Sequence, residues 1–577
     1  MQEKLWVFRP SDIALQNNLS RQLSISPVTA SVLLARGVTT PDEATRWMSG
    51  VHGGLHDPFL LPDMEPAVER LHQALARQER VCFYGDYDVD GVSATSLYLS
   101  FYQGLGGNAC GYIPHRVREG YGLNEGAVRR LAEEGISLLV TSDCGTTSHH
   151  EIAVARELGM DVIVTDHHQT DATMPAALAV LNPHRRDAIY PFKGLCSAGL
   201  AYKVVSAYQQ RYGSGDVEPD SCLDLVALAT VADIVPLQDE NRILVREGLT
   251  HITRGARAGI RALKQVAGIA KACTSETIGF RLGPRLNAAG RLDHAMLCVR
   301  LLTTESDQEA MQIAEQLEQL NRQRQQIEEG ITGEAATYLQ QDEPAAAIVL
   351  GSRDWHLGVV GIVAARLVDR FHRPSIVMAI DGQGIGKGSA RTVEGFDLYQ
   401  GLSECKDLLE AYGGHPSAAG LTLKESRLEE FRRRFCEVVA QWAGSARTVP
   451  TLHVDAEVKL TDVNFDLIQE LESLHPFGAG NPEPTLAVRG LDVVDARVVG
   501  EKHLKLRVRQ GRSFIFDSIG FRMGSFEELG LRAGRPVDLA FSPERHHRNG
   551  YARLQLRIKA PRMSGEESHI SRTSRCQ

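Results

Sequence analysis

Hydrophobic and polar positions change rhythm several times along this chain. From about residue 75, short and almost wholly apolar runs alternate with longer amphipathic ones. RVCFYG (Arg80 to Gly85) reads as a strand, and VSATSLYLSFYQGLGG as a helix ending in glycines. SLLVTSD (Ser137 to Asp143), DVIVTDHH (Asp161 to His168) and ALAVLNPH (Ala177 to His184) read as further strands. Strand, helix, strand at this spacing predicts right-handed βαβ units and a mostly parallel sheet. Strands this apolar are buried on both faces. The stretch from Ser306 to Gln341 is polar, with Ile313, Leu317, Leu320, Ile327 and Ile331 spaced along one helix face, which suggests a connecting helix. A second α/β unit follows in AAAIVLG, VVGIVAARLVDRF and PSIVMAI. After about residue 450, β-type residues alternate with turn residues around one helix, FDLIQELESL, as expected of a small β-barrel. Residues before 60 read as short helices, and Thr40-Pro41-Asp42-Glu43 is a capping-box start.

The expected organisation is therefore α/β: two α/β domains joined by a long helix, a C-terminal barrel and a small helical N-terminal region. The boundaries are 1–65 for the N-terminal region, 66–300 for the first α/β domain and 301–342 for the connecting helix. The second α/β domain takes 343–445, the barrel 450–561, and a disordered tail 562–577.

Size agrees, since 577 residues exceed one hydrophobic core. No basic n-region precedes an apolar run at the N-terminus, and no apolar run reaches the ~18 residues of a membrane helix. Ten scattered cysteines without a C-x-x-C pair argue against zinc ribbons and a disulfide framework, and fit a reducing cytoplasm. A net charge of −9 excludes a generally basic nucleic-acid sponge but not a local basic groove.

Chemistry changes the picture most. Asp86 and Asp88 follow the first strand, Asp143 the next, and Asp166-His167-His168 the third. In an open parallel sheet, ligands bind beyond the carboxyl ends of the strands, so these residues should meet in one crevice. Asp233, closing the apolar run ALATVAD, could reach the same place. So many carboxylates and imidazoles repel unless cations neutralise them. The mixed donor set suits Mn²⁺ or Mg²⁺ better than structural zinc, and the crowding points to a two-metal hydrolytic site. In the second unit, GGHPSAAG (Gly413 to Gly420) offers glycines that let backbone N–H groups approach a phosphate, with His415 as a donor. The barrel carries Lys502, His503, Lys505, Arg507, Arg509 and Arg512, then Arg545, His546, His547 and Arg548, with Phe514, Phe516 and Tyr551 among them. Basic grooves with stacking aromatics hold single strands, and Lys505 and Arg507 are the chief DNA-binding candidates.

GDYDVDG, TSDCG, TDHH, TVADIVPL, GPRLNAAGR, HLGVVGIVAAR and GGHPSAAG occur in this order over roughly residues 80 to 420. On these motifs the chain resembles the DHH phosphoesterase superfamily and, within it, the RecJ family of bacterial single-strand-specific exonucleases. The resemblance implies a DHH domain, a DHH-associated domain and an OB-fold. It implies that Asp88, Asp143, His167 and Asp233 hold one metal and that Asp86 and Asp143 hold a second, with Asp143 bridging. His168 would touch the scissile phosphate or orient the site, while Asp166 and Asp90 would support or cap. It further implies that Gly413, Gly414 and His415 bind substrate, and that Arg116, Arg285, Arg291, Ser389 and Arg391 form a pocket for the DNA 5′ end. One position departs from related phosphatases, which carry His four residues before the first Asp: here it is Cys82, either a lost imidazole, a thiolate ligand or a buried strand residue.

The implied activity is 5′-to-3′ hydrolysis of single-stranded DNA to 5′-mononucleotides in recombination and repair, by in-line attack of water on phosphorus. A cytoplasmic monomer working with a helicase and a single-strand-binding protein is expected, with no membrane partner. The alternatives are a DHH phosphodiesterase acting on short oligonucleotides or cyclic dinucleotides, and a non-catalytic replication scaffold.

Overall fold

A short strand, β1 (Leu5–Phe8), opens the described chain, and five runs after it pair side by side into one parallel sheet. The computed structural model describes residues 4–9, 12–49, 54–213, 218–341, 346–444, 449–500, 502–524, 534–548 and 551–565. The five strands are β2 (Val81–Gly85), β3 (Ala109–Tyr112), β4 (Leu138–Ser142), β5 (Asp161–Thr165) and β6 (Ala179–Leu181), in the spatial order β3-β2-β4-β5-β6. β2 and β4 are wholly buried, as their unbroken apolar sequences require. The edge strand β3 is half-buried and contains Gly111, so its sequence carries no apolar run to announce it. The helix Val89–Gly104 packs Leu97, Tyr98 and Phe101 into the core beneath the sheet, alongside the helices Ser197–Tyr212 and Leu223–Ala232.

The 35-residue helix Asp307–Gln341 buries Ile313 and Leu317 in this first core and Ile331 and Ala335 in a second one. The second core surrounds a mixed sheet of β7 (Ile348–Ser352), β8 (Ser375–Ile380), β9 (Ile385–Arg391), β10 (Ala411–Gly414) and β11 (Ala418–Lys424), ordered β10-β11-β9-β8-β7. Only β7 and β8 are parallel. Alternation does the rest. Ile348 and Val377 face the helix Leu357–Phe371, while Val349, Ile376 and Met378 face Phe431 and Phe435 of the helix Leu428–Ala443. Both sheets belong to one compact unit, made of the described residues of His52–Thr448 with Gly478–Gly480.

The other unit gathers the described residues of Met1–Val51, Val449–Phe477 and Asn481–Gln577. β12 (Thr451–Val454) pairs in parallel with β1. The barrel strands are β13 (Ala456–Glu457), β14 (Leu486–Val499), β15 (His503–Arg509), β16 (Phe516–Gly520), β17 (Pro536–Arg548) and β18 (Tyr551–Met563), ordered β13-β14-β15-β16-β18-β17 and closed by the pairing of β14 with β17. The expected N-terminal region 1–65 is not one body. Its first part shares the barrel core, where Leu19, Val32 and Leu33 meet Leu486, Leu504 and Phe541. Ser26 N and Thr29 Oγ1 donate to Glu470 Oε2 at 2.9 and 2.6 Å. A Leu→Ala change at Leu33 would cost roughly 2–5 kcal/mol of that interface. The capping box forms: Thr40 N donates to Glu43 Oε2 and Glu43 N to Thr40 Oγ1. The tail also begins later than expected, because Arg562 and Met563 still pair with Asp538 and Val537; residues 566–577 lie outside the described residues. No helix among the described residues is long and apolar enough to cross a membrane.

Candidate metal centre and anion pocket

Three aspartates two residues apart turn out to have three different tasks. Asp86 ends β2 and is 3% exposed, with Oδ1 buried and without a hydrogen-bond partner. Asp88 caps the helix Val89–Gly104, its Oδ1 accepting from Asp90 N at 2.9 Å and Gly91 N at 3.3 Å. Asp90 accepts from Ser197 N at 2.7 Å and Ala198 N at 2.8 Å, and so ties this loop to the start of the helix Ser197–Tyr212. Gly91 is required here, since a Cβ would collide with the backbone of Asp86.

At the end of β4, Asp143 adopts a left-handed backbone, φ +65°, which Asp tolerates better than most residues. The turn is fixed by Asp143 N donating to Thr165 O at 3.1 Å and Tyr121 Oη donating to Asp143 O at 3.0 Å. It points Oδ1 to 3.3 Å from His167 Nε2, 3.8 Å from His168 Nδ1 and 3.4 Å from Ser197 Oγ, which donates to it. Asp233 caps the carboxyl end of the helix Leu223–Ala232, with Oδ2 3.5 Å from the same His167 Nε2. Three groupings result whose ligand atoms lie within 4.8 Å of one another: Asp86 with Asp88 and Asp143; Asp143 with His167 and His168; and Asp90 with His167 and Asp233. Asp143 and His167 are each shared by two of them.

Electrostatics marks the cluster as incomplete without cations. Burial, then neighbouring carboxylates, push Asp86 and Asp143 well above the usual carboxylate range. Asp233 is pushed up to about 8 by burial and by Asp90 and Asp88. Burial lowers His167. His168 behaves otherwise: burial opposes its charge, but Nδ1–H donates to Asp166 Oδ1 at 2.7 Å and the imidazole is pushed up to about 9. Asp166 also accepts from Thr146 N and His168 N, and is held below its ordinary value although burial opposes this. Oxygen and imidazole donors, with Asp86 Oδ1 and His167 Nε2 orphaned and buried, fit Mn²⁺ or Mg²⁺. Cys82 belongs to no such grouping among the described residues. It sits in β2 opposite Cys110 of β3, packed among Val128, Leu131 and Leu139, and its thiol is raised by Cys110 and by burial.

The second sheet faces this cluster. β10 and β11 pair Gly413 with Gly420 and Gly414 with Ala419, and the turn presents His415, whose ring stacks on His168 at 6.4 Å between centroids. At Gly414, φ +135°, a Cβ would strike the chain at Ala418 and Ala419. Arg391 Nη1 donates to Ser389 Oγ at 2.9 Å. Arg291 donates to Gly358 O at 3.0 Å, and Arg116 lies 4.7 Å over the Tyr87 ring. Burial, then Arg116, Arg324 and Arg391, lower Arg291 to about 10. Burial and Arg116 also lower Arg391. Among the described residues none of Arg116, Arg291 and Arg391 pairs with a carboxylate. Arg285 differs: Glu318 of the long helix holds it at 2.7 Å.

On the barrel, Lys505 and Arg507 alternate with buried Leu504, Leu506 and Val508 and so point outward. Across the ladder Arg507 faces Asp495 and Asp517, and Arg509 pairs with Asp492 at 3.6 Å, so the basic stripe is interleaved with acids. Phe516 is barrel core, whereas Phe514 is 90% exposed. Sequence reasoning misses Tyr121, Ser197 and Asn182. Asn182 is fully buried and donates to His168 O at 2.9 Å and Thr146 Oγ1 at 3.0 Å. Only N-P-H following a strand hints at it.

Residues 80–230 match the family model of the DHH family, N-terminal domain; residues 343–441 match the DHHA1 domain and residues 454–560 the RecJ OB domain. The single-stranded-DNA-specific exonuclease RecJ of Bacillus subtilis (strain 168) is 40% identical over 560 residues, covering 96% of this chain and 70% of that protein. Two solved structures of RecJ from Thermus thermophilus align over 97% of this chain. The complex with Mn²⁺ has a TM-score of 0.84 at 30% identity, with 79% of its chain covered. The complex with Mg²⁺ has a TM-score of 0.78 at 27% identity, with 78% covered.

Proposed function

Since the chain belongs to the RecJ family, we infer that it is a single-stranded-DNA-specific exonuclease, a hydrolase that uses Mn²⁺ or Mg²⁺. The observation that carries this is the crevice beyond β2, β4 and β5, where carboxylates and imidazoles gather around Asp143. Asp86, Asp88, Asp143, His167 and Asp233 would hold two divalent ions, with Asp143 common to both. Once bound, such ions lower the pKa of water and neutralise charge developing on the phosphoryl oxygens.

This chain's own groups do the positioning. Tyr121 and the Thr165 carbonyl fix the left-handed turn that aims the Asp143 carboxylate. Asp166 holds His168 charged, so that the imidazolium can donate to a non-bridging phosphate oxygen; His415 faces it from across the cleft. Arg391, braced by Ser389, and Arg291 and Arg116 would take the 5′-terminal phosphate with charge-assisted hydrogen bonds. Gly413 and Gly414 leave room for the chain beside His415. Arg285 would act indirectly, fastening its helix to Glu318. Capture of the terminus gives 5′-to-3′ polarity and one 5′-mononucleotide per cut. Lys505 and Arg507 would grip the rest of the strand.

The described cysteines are free, which supports a reducing, cytoplasmic setting. An enzyme confined to single strands depends on a helicase to supply them, in recombination and repair. The test is release of mononucleotides from 5′-labelled single-stranded DNA with Mn²⁺, abolished by a chelator. Activity that survives complete chelation, or cutting from the 3′ end, would overturn the reading.

A further inference from the structure

Two large apolar side chains stand out of the protein beside the metal crevice. Ile234 directly follows Asp233, is 74% exposed and has φ +59°. A β-branched residue rarely adopts that left-handed backbone, and such outliers gather at functional sites. Phe280 is 79% exposed and belongs to a π-helical turn, Ile278–Leu282, another feature frequent at functional sites.

Packing brings the two segments together. The π turn buries Ile278 and Leu282. Its Gly279, and Gly283 directly after it, face the last turn before Asp233: a Cβ on Gly279 would lie 3.9 Å from Val231 Cγ1, and one on Gly283 3.6 Å from Ala232 Cβ. The turn that carries Phe280 is thus docked on the residues preceding Asp233 and Ile234. From Gly283 the chain runs on as the helix that bears Arg291 of the anion pocket.

Single exposed apolar residues are ordinary on protein surfaces. These two are not placed at random, since one adjoins a metal-type ligand and the other leads into the arginine helix. The crevice itself is lined by carboxylates, imidazoles and guanidinium groups, whose first partners are phosphates and metals, with the half-exposed Tyr121 ring beside His168. A strand whose phosphodiester lies at Asp233 brings its bases to this rim. Aromatic faces stack bases of any sequence, provided that the base is unpaired and can leave its neighbours.

We propose that Phe280 and Ile234 form an apolar platform on which an unpaired nucleobase of the substrate strand stacks beside the scissile phosphodiester, making both residues determinants of single-strand specificity. The proposal rests on the exonuclease reading above and extends it to the bases.

The test is a cycle between protein and substrate, run with the full-length Mn²⁺-loaded enzyme. Phe280→Ala, Phe280→Tyr and Ile234→Asn (Asn tolerates the left-handed backbone) are compared with wild type on 5′-phosphorylated single strands. The strands carry either normal bases or one abasic residue at each of the first positions in turn. Phe280→Ala should raise KM about tenfold while kcat changes less than twofold, and Ile234→Asn should raise it about threefold. Phe280→Tyr should restore the wild-type value. At one position the abasic residue should cost the wild type a similar factor and cost Phe280→Ala nothing further. Melting curves matching wild type are expected, because neither side chain supports a core. An active wild type with an unchanged KM in Phe280→Ala overturns the platform alone. So does a tenfold loss that persists on every abasic strand, which would assign the patch to something other than a base, such as a protein partner. A wild type inert on all single strands overturns the exonuclease reading, and the platform with it.

Discussion

Beyond β2, β4 and β5, carboxylates gather with two imidazoles; around β9 and the helix Gly283–Leu292, the half-buried guanidinium groups of Arg116, Arg291 and Arg391 gather, and none of them pairs with a carboxylate among the described residues. Both arrangements set like charges side by side, yet they differ in what relieves them. Carboxylates can take up protons, and Asp86, Asp143 and Asp233 all shift in that direction. Arginine has no such escape near neutral pH: even Arg291, lowered to about 10, stays charged. The first cluster can therefore persist without its metals in a protonated form. The second calls for an anion at all times. A phosphate chain bridging metals and arginines, as proposed, would satisfy both.

The comparison breaks most severely at Asp143. Asp143→Asn should reduce kcat by about a thousandfold or more, since it removes the carboxylate common to two ligand groupings. Folding should be retained, because losing a charge from a crowded anionic site relieves repulsion. Single-turnover rates with Mn²⁺, read beside melting curves, check both halves; near-normal activity would remove Asp143 from the site.

On the cationic side a smaller effect is expected. Arg391→Ala should lower the preference in kcat/KM for 5′-phosphoryl over 5′-hydroxyl ends by roughly tenfold, corresponding to ~1.4 kcal/mol. An unchanged ratio would place recognition of the terminus elsewhere.

The exposed basic stripe of the barrel sharpens the contrast with the half-buried arginines. Lys505→Glu with Arg507→Glu should weaken binding of long single strands severalfold and flatten its salt dependence, leaving hydrolysis of a dinucleotide nearly unchanged. Equal loss on both substrates would deny the stripe a separate role. The effect is modest because Asp495 and Asp517 already offset Arg507.

The smallest signal is thermal. Between the ordinary carboxylate value of 3.8 and about 8, folded Asp233 keeps a proton that the unfolded chain has lost, and Asp86 and Asp143 act alike. The folded state then binds more protons than the unfolded one, so stability falls as pH rises through that window. His168, raised to about 9, adds the same sign above 6.5, while His167, lowered, opposes it below 6.5. Metal-free protein should lose a few degrees of Tm between pH 5.5 and 8, and Mn²⁺ should raise Tm more at pH 8. A Mn²⁺ effect independent of pH would contradict the protonated cluster.

Much of this site could be read from the chain because all its candidate ligands but Asp233, which closes an apolar helix, follow strands apolar enough to recognise, and parallel strands deliver their ends to one crevice. Asp86, Asp143 and His167 meet for that reason. Asp90 and Ser197 were less accessible: their bond joins positions 107 residues apart and depends on where a helix starts. The N-terminal helices illustrate the same limit, since Thr29 and Glu470 are 441 residues apart. Arg285 looked equivalent to Arg291 in GPRLNAAGR, yet they fall on different sides of one helix, and only the packing of Glu318 separates them. The backbone of Ile234 leaves no trace in its sequence.

Gly290 and Gly358 bear on how evenly the enzyme cuts. A Cβ on Gly290 would overlap the carbonyl of Tyr87, between the two metal-type aspartates, and one on Gly358 would overlap the carbonyl of Arg291. The main chain of the arginine helix is thereby clamped, without side chains between, to the loop of Asp86 and Asp88 on one side and, on the other, to the helix Leu357–Phe371 that packs on the second sheet. If the arginines hold the 5′ phosphate and the metals the scissile bond, as proposed, the span between them would work as a gauge whose jaws are backbone. Its setting resists thermal drift and surface mutation alike, so product length should stay constant where rate and affinity vary.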